Sequence, residues 1–186
     1  MNIQSRLPTT ADEFLRWNEG REGAWDLVGG RVVNMMVRVS RYHAILCSNL
    51  LVHLRASLAM PPYLVTSADF GVKTATSVRY PDVVVDGDPG SGKDLAAAAP
   101  LLVAEVLSPS TMATDFGPKV DEYKTVETLR HYLVLAQDEP RVWLWSRASD
   151  GQWTGPDMIE GRGETVPLTG LATALRLSDL YAGIEN

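Results

Sequence analysis

The chain has 186 residues, 45% hydrophobic and 22% charged, which suits one compact domain with a sizeable core. A net charge of −6 argues against a nucleic-acid binder working by bulk attraction, and the single cysteine, Cys47, excludes an internal disulfide or a cysteine-rich zinc site. No apolar run approaches a bilayer span and Met1–Arg6 lack the apolar stretch of a signal peptide, so the sequence reads as a soluble cytoplasmic protein with no membrane partner.

Thr10-Ala11-Asp12-Glu13 is a capping box and predicts a short helix over about 11–19. Ala24–Val28 and Arg31–Met36 flank Gly29-Gly30, a two-residue hairpin signal. Ser40 caps a long helical stretch to about Met60, ended by Pro61-Pro62, with a core-facing stripe of His43, Cys47, Leu50, Leu54 and Leu58. Cys47 in that stripe reads as packing rather than as a nucleophile. Strands are predicted at Tyr63–Lys73, Tyr80–Asp86 and Leu101–Leu107, the last two apolar enough to be covered on both faces. Gly87–Pro100 between them reads as a mobile loop. A helix over about Phe116–Val126 and strands at Arg130–Leu135 and Arg141–Arg147 follow, then a Gly-rich tail of short β pieces ending in a helical turn begun by Ser178. The order αββαβββαββ predicts an α/β (α+β) fold, a mixed sheet flanked by helices, in a single domain with a core at about 8–147 and an extension over 148–186.

Gly87-Asp88-Pro89-Gly90-Ser91-Gly92-Lys93 matches the start of a phosphate-binding loop, but Asp94 follows where Ser or Thr would hold magnesium. Only seven residues then precede the next strand, too few for the helix that must meet the phosphates.

Two acids stand in apolar strand sequence: Asp82 in Arg79-Tyr80-Pro81-Asp82-Val83-Val84-Val85, and Glu105 in Leu101-Leu102-Val103-Ala104-Glu105-Val106-Leu107. An unpaired buried carboxylate costs several kcal/mol (roughly), and its common use is to hold a cation. If the two strands are neighbours, both acids can converge, and hard oxygen ligands select magnesium, manganese or calcium over zinc. The plainer alternative pairs Glu105 with a buried Arg or Lys and leaves Asp82 to cap a turn. Lys119 follows Gly117-Pro118 in a first helical turn, where a lysine opposes the helix dipole unless it points at carboxylates. Tyr123 shares its face at i+4. Asp115 is either the helix cap or a third acid, His43 either a core histidine or an assisting ligand, and Asp26 either a hairpin polar residue or a further acid of the site. His53 and His131 offer nothing specific. Arg38, Arg41, Lys73, Arg79, Lys119, Lys124 and Arg130 either line one face or are scattered solvated charge.

Taken together these residues resemble the Uma-two family of putative restriction endonucleases, in the PD-(D/E)XK nuclease superfamily. The likeness lies in Trp25-Asp26-Leu27-Val28-Gly29-Gly30-Arg31-Val32, His43, Val78–Val85 and Glu105-Val106-Leu107-Ser108-Pro109-Ser110-Thr111, continued by Asp115, Gly117, Lys119 and Tyr123. It implies a restriction-endonuclease-like fold and assigns Asp82 as the motif aspartate, Glu105 as the second acid and Lys119 as the lysine. In the superfamily's commoner pattern the lysine lies two residues after the acid; here Leu107 holds that position and the lysine has moved to the next helix. Asp26 stands where the family usually has Glu, Glu127 replaces a usual glycine, and His131-Tyr132 replaces an aromatic pair.

The leading expectation is a metal-dependent endonuclease acting on nucleic acid, DNA in the first instance. Asp82, Glu105 and the Val106 carbonyl would hold magnesium or manganese and Lys119 would orient water. Asp26, His43, Asp115 and Tyr123 would assist. A catalytically silent binding or regulatory module of the same fold is the alternative. A third reading is a structural partner in a homodimer, with Trp143 and Trp145 on an exposed strand face.

Overall fold

A computed structural model describes residues 6–35, 39–88, 90–108 and 111–185. Helix α1 (Ala11–Asn18) starts where the Thr10 hydroxyl accepts the Glu13 N–H, and it buries Phe14 and Leu15. Strands β1 (Ala24–Val28) and β2 (Arg31–Met35) form a hairpin through Gly29-Gly30, whose φ values of 53° and 74° suit glycine in a two-residue turn. Met36, expected in the second strand, lies outside the described residues, as do Arg38, Pro109 and Ser110. Strands β4 (Val72–Lys73) and β5 (Val78–Arg79) complete a small sheet of order β2-β1-β5-β4.

The larger sheet has the order β10-β9-β8-β7-β6-β3, from β3 (Leu64–Ser67), β6 (Val83–Asp86), β7 (Pro100–Val106), β8 (His131–Leu135), β9 (Arg141–Arg147) and β10 (Trp153–Glu160). Its β7–β8 pair is parallel and its other pairs antiparallel. Alternation along the strands gives each face its own core. On one, Val83, Val85, Leu102, Ala104, Leu133 and Leu135 pack against Leu46, Leu50 and Leu54 of α2 (Arg41–Ser57) and against α5 (Leu177–Leu180). On the other, Val84, Val103, Tyr132 and Val134 meet Val120 and Tyr123 of α4 (Pro118–Lys124), which follows the short α3 (Met112–Asp115). Strands β11 (Thr165–Leu168) and β12 (Thr173–Arg176) form a terminal hairpin. This is the expected mixed sheet flanked by helices. No helix among the described residues is long and apolar enough to cross a membrane.

One predicted strand is divided between the sheets and another is shortened. Tyr63–Lys73 breaks at Ala68, which turns to φ 47°, and Asp69 N–H closes back on Ser67 O at 2.6 Å. The strand expected over Tyr80–Asp86 starts only at Val83, after Pro81, which has no N–H to give a ladder. Helix α2 ends at Ser57, short of Met60, and the helix expected over 116–126 is shorter, Pro118–Lys124, with Gly117 at ψ −107° setting it apart from α3.

The loop after β6 is tied down rather than mobile at its far end. The Asp86 carboxylate accepts the N–H groups of Ala98 and Ala99 at 2.9 and 2.8 Å, and Ala97 N–H reaches Gly71 O at 2.8 Å. Within it, Gly90 N–H bonds to Asp88 and Ser91 N–H to Asp94, so these amides are taken by the loop's own acids and not presented to a phosphate. The tryptophan face expected for an oligomer is also absent. Strand β9 lies inside the sheet, Trp145 is buried, and Trp143 is half-buried with its ring centroid 4.9 Å from that of Phe116. Nor do the basic residues share one solvated face, because Arg79 and Lys119 are buried in ion pairs.

His131, unremarkable in sequence, is buried in β8. Its Nε2 accepts the Gly170 N–H at 3.1 Å, which leaves Nδ1, 3.1 Å from Ser146 Oγ, to carry the proton. Burial, helped by the Arg130 charge, pushes its pKa down to about 4 from 6.5. The unfolded chain therefore binds a proton between those values that the folded chain refuses. The His131 contribution to stability should be full above about pH 6.5 and fall by up to about 3 kcal/mol as pH drops to 4. Urea melts of wild type and His131→Gln across that range should differ by this amount, the variant losing less stability as pH falls; an unchanged pH dependence in the variant would remove His131 as a source.

Candidate active site

The antiparallel register of β6 and β7 pairs Val83 with Ala104, so the next step along places Asp82 opposite Glu105 on the same face. Asp82 lies just before β6, where Pro81 has ended the ladder. Its Oδ2 accepts the Val106 N–H at 2.7 Å, taking the place a strand neighbour would fill. Leu107 N–H bonds to Leu135 O on the β8 side, so the N–H and C=O of Val106 face the opposite edge, towards Asp82. Two carboxylates and one main-chain carbonyl thus meet at one end of the sheet.

Helix α4 brings the cation. Lys119 Nζ lies 2.9 Å from Glu105 Oε1 and 2.9 Å from Asp115 Oδ1, and the Tyr123 hydroxyl donates to the same Glu105 oxygen at 3.0 Å. All four side chains are buried. Asp115 does not cap α4, whose cap is Gly117 with no side-chain bond; it is a third acid, with its Oδ2 buried and without a hydrogen-bond partner among the described residues. Burial pushes the Glu105 pKa up to about 7, against the pull of Lys119 and with the push of Asp82 and Asp115. Burial alone would lower the Lys119 pKa, but the Glu105 and Asp115 carboxylates outweigh it and hold the ammonium above its ordinary range. The plainer alternative for Glu105, a buried lysine partner, is therefore also present in the geometry.

From the other face, α2 contributes His43, positioned by the Ser40 cap that accepts its N–H at 3.0 Å. His43 Nε2 lies 3.2 Å from Asp82 Oδ2, and its Nδ1 lies 3.4 Å from Cys47 Sγ one turn later. All of these residues except Asp115 and Tyr123 line a cleft of about 1120 Å³ between the two sheets, with Trp25, Phe70 and Tyr80 among its apolar walls.

Over residues 11–178 the chain matches the family model Uma2, described as "Putative restriction endonuclease". The chain belongs to the Uma2 family. Among relatives of this Uma2 chain, the uncharacterized proteins slr1290 and sll1609 of Synechocystis sp. are 28% identical over 145 residues and 30% identical over 149. These alignments cover 76% and 77% of the chain, and 76% and 84% of the relatives. A crystal structure of a putative nuclease belonging to DUF820 from Anabaena variabilis superposes with a TM-score of 0.74 at 17% identity. That match covers 97% of this chain and 100% of the other, and it shows the shared fold.

Asp26, in β1 of this Uma2 member, lines the cleft but is held by Arg79 Nη1 at 3.3 Å, with its pKa raised by burial despite that pairing. Arg79 also forks onto Glu122 through two 2.7 Å bonds. Glu122 is the neighbour of Tyr123, so this buried fork braces the helix that carries Lys119. Sequence reading missed the Arg79–Glu122 pair and the His43–Cys47 contact. The apolar neighbours of Arg79 were a signal for the first, and the i, i+4 spacing on the core-facing stripe for the second.

The donor set fits a hard divalent cation. Once Glu105 is ionised, Asp82, Glu105 and Asp115 set three carboxylates against the single ammonium of Lys119, leaving two negative charges for a cation to balance. The oxygen ligands are those that magnesium or manganese takes.

Proposed function

We propose that this chain is a metal-dependent endonuclease that hydrolyses phosphodiester bonds in nucleic acid, with DNA as the first substrate to test. The observation that carries the reading is the Asp82–Glu105–Lys119 arrangement: two acids opposite each other at a strand end, with a buried ammonium 2.9 Å from the second. The family description and the nuclease fold of the structural neighbour support it.

Asp82, Glu105 and the Val106 carbonyl would hold magnesium or manganese. When bound, the ion polarises a phosphate oxygen and lowers the pKa of a coordinated water. Lys119 stays cationic because two carboxylates flank it, and of its three N–H donors one remains to meet a phosphoryl oxygen or orient water. Tyr123 fixes the Glu105 carboxylate and His43 fixes that of Asp82. Arg79 and Glu122 keep α4 at the distance this requires.

The cleft carries Glu19, Asp26, Asp69, Asp82, Asp94 and Glu105 against Arg21 and Lys119. Such a lining repels a polyanion, so phosphate contact depends on the bound cation more than on side-chain charge. Cleavage of supercoiled plasmid, single-stranded DNA and RNA should therefore require millimolar magnesium or manganese and stop on chelation. A chain that binds no divalent ion under those conditions belongs instead to the silent binding class. Cleavage that survives exhaustive chelation would sink the metal assignment.

A further inference from the structure

We propose that His43, Cys47 and Asp82 form a second cation site, one that takes zinc or a similar borderline-soft transition metal and shares Asp82 with the hard-metal site. Helix α2 sets His43 and Cys47 at i and i+4, on one face, with Nδ1 3.4 Å from Sγ. The opposite edge of the ring lies 3.2 Å from Asp82 Oδ2. One ligand atom from each of the three residues lies within 4.8 Å of the other two. Two ligands of a tetrahedral zinc, at about 2.0 Å for nitrogen and about 2.3 Å for sulfur, stand about 3.5 Å apart. Both observed contacts are already close to that spacing. An ion takes one ring nitrogen only, so the third ligand must close in, which needs a rotation of the ring or of the Asp82 carboxylate away from its present partners.

The chemistry of the set differs from that of the neighbouring acids. A thiolate and an imidazole favour zinc, cobalt, nickel or copper over magnesium, whereas Glu105 and the Val106 carbonyl favour the reverse. All three side chains line the cleft, so an ion can enter and a water can take the fourth position. Two uncompensated carboxylate charges nearby favour any cation that arrives. On binding, the Cys47 Sγ–H bond breaks, its electron pair goes to the metal and its proton to solvent; no oxidation state changes.

Asp82 cannot serve both ions in the same geometry. Zinc on His43 and Cys47 draws Asp82 away from Glu105, so it acts as an inhibitor competing with magnesium. This inhibitory consequence rests on the nuclease reading above; the binding itself does not.

Cobalt(II), which occupies zinc sites and reports their ligands by absorbance, is the probe for the full chain. We expect one equivalent per chain, the near-ultraviolet charge-transfer band of a thiolate ligand, intense visible bands of four-coordinate cobalt, and displacement by zinc. Cys47 is the single cysteine, so within one chain that band has no other source. Stoichiometry unchanged on dilution separates it from a thiolate shared between chains. Cys47→Ser should abolish the near-ultraviolet band, with Cys47→Ala in reserve if serine is not tolerated at this half-buried position. His43→Gln should weaken binding by at least about tenfold. Zinc should inhibit magnesium-dependent cleavage by the wild type and inhibit Cys47→Ser at least about tenfold less well. No cobalt binding, binding without the thiolate band, binding at half an equivalent, or unchanged affinity in His43→Gln would each overturn the proposal. The spectra decide the binding question even if no substrate is cleaved, so failure of the site and failure of the nuclease reading are told apart.

Discussion

Asp82→Asn and Glu105→Gln are each expected to lower magnesium-dependent cleavage by at least about a thousandfold. Both substitutions keep the size of the side chain and remove its charge. The Asn carbonyl can still accept the Val106 N–H that Asp82 accepts at 2.7 Å, so the end of the sheet should stay closed. The Gln carbonyl can likewise still take the Lys119 and Tyr123 donors. What each variant loses is one of the anionic ligands that would hold the ion, and with it the ion's effect on phosphate and water. Single-turnover cleavage of supercoiled plasmid at saturating magnesium measures the loss, and thermal melting shows that the fold is retained. A well-folded variant of either residue that cleaves at the wild-type rate would end the assignment.

Lys119→Met is the second change with a large expected effect, and it acts on stability as well as on activity. It leaves the Glu105 and Asp115 carboxylates buried at 6% and 1% exposure with their shared cation gone. Breaking a buried pair in this way costs about 3–5 kcal/mol. The sign with pH follows from the direction of the Glu105 shift. Its folded pKa, already raised to about 7 with Lys119 present, rises further without it, so the folded chain keeps a proton that the unfolded chain gives up above 4.5. The metal-free variant should therefore be closest to wild type near pH 5 and fall further behind as pH rises to 8. Magnesium should restore part of the loss, because it returns positive charge to the same acids. Urea melts at the two pH values, with and without magnesium, test this. A variant as stable as wild type at pH 8 would mean that the acids find another cation. Cleavage should fall by about a hundred- to a thousandfold even where the variant is folded.

Much of the architecture was legible because burial imposes a pattern. Val83–Val85 and Leu101–Val106 are apolar on both faces, and only a covered inner strand tolerates that. An acid inside such a run stands out for the same reason, which is why Asp82 and Glu105 could be singled out without coordinates. The geometry brings these acids and Lys119 to one place, while their roles rest on the proposal. Local signals failed where one long segment serves two sheets: Tyr63–Lys73 has strand composition throughout, and only the turn at Ala68 divides it. Long-range pairing was equally hidden. Arg79 reads as a surface cation until β5 is placed beside β1 and α4, where Asp26 and Glu122 take it up. Trp143 and Trp145 read as an exposed pair until Phe116 and Tyr132 are seen packed against their rings.

One detail of the hydrogen bonding bears on which ion the acids would prefer. Oδ2 of Asp82 is committed to a main-chain amide and to His43, and Oε1 of Glu105 to an ammonium and a phenol. Each carboxylate can therefore turn only one oxygen outward, and neither can clasp an ion with both. Calcium, which gathers about six to eight oxygens and often takes carboxylates two-handed, would be poorly satisfied by such a sparse set. A smaller ion such as magnesium, which usually keeps several waters, would need no more than this, and one such water would suit the hydrolysis proposed above.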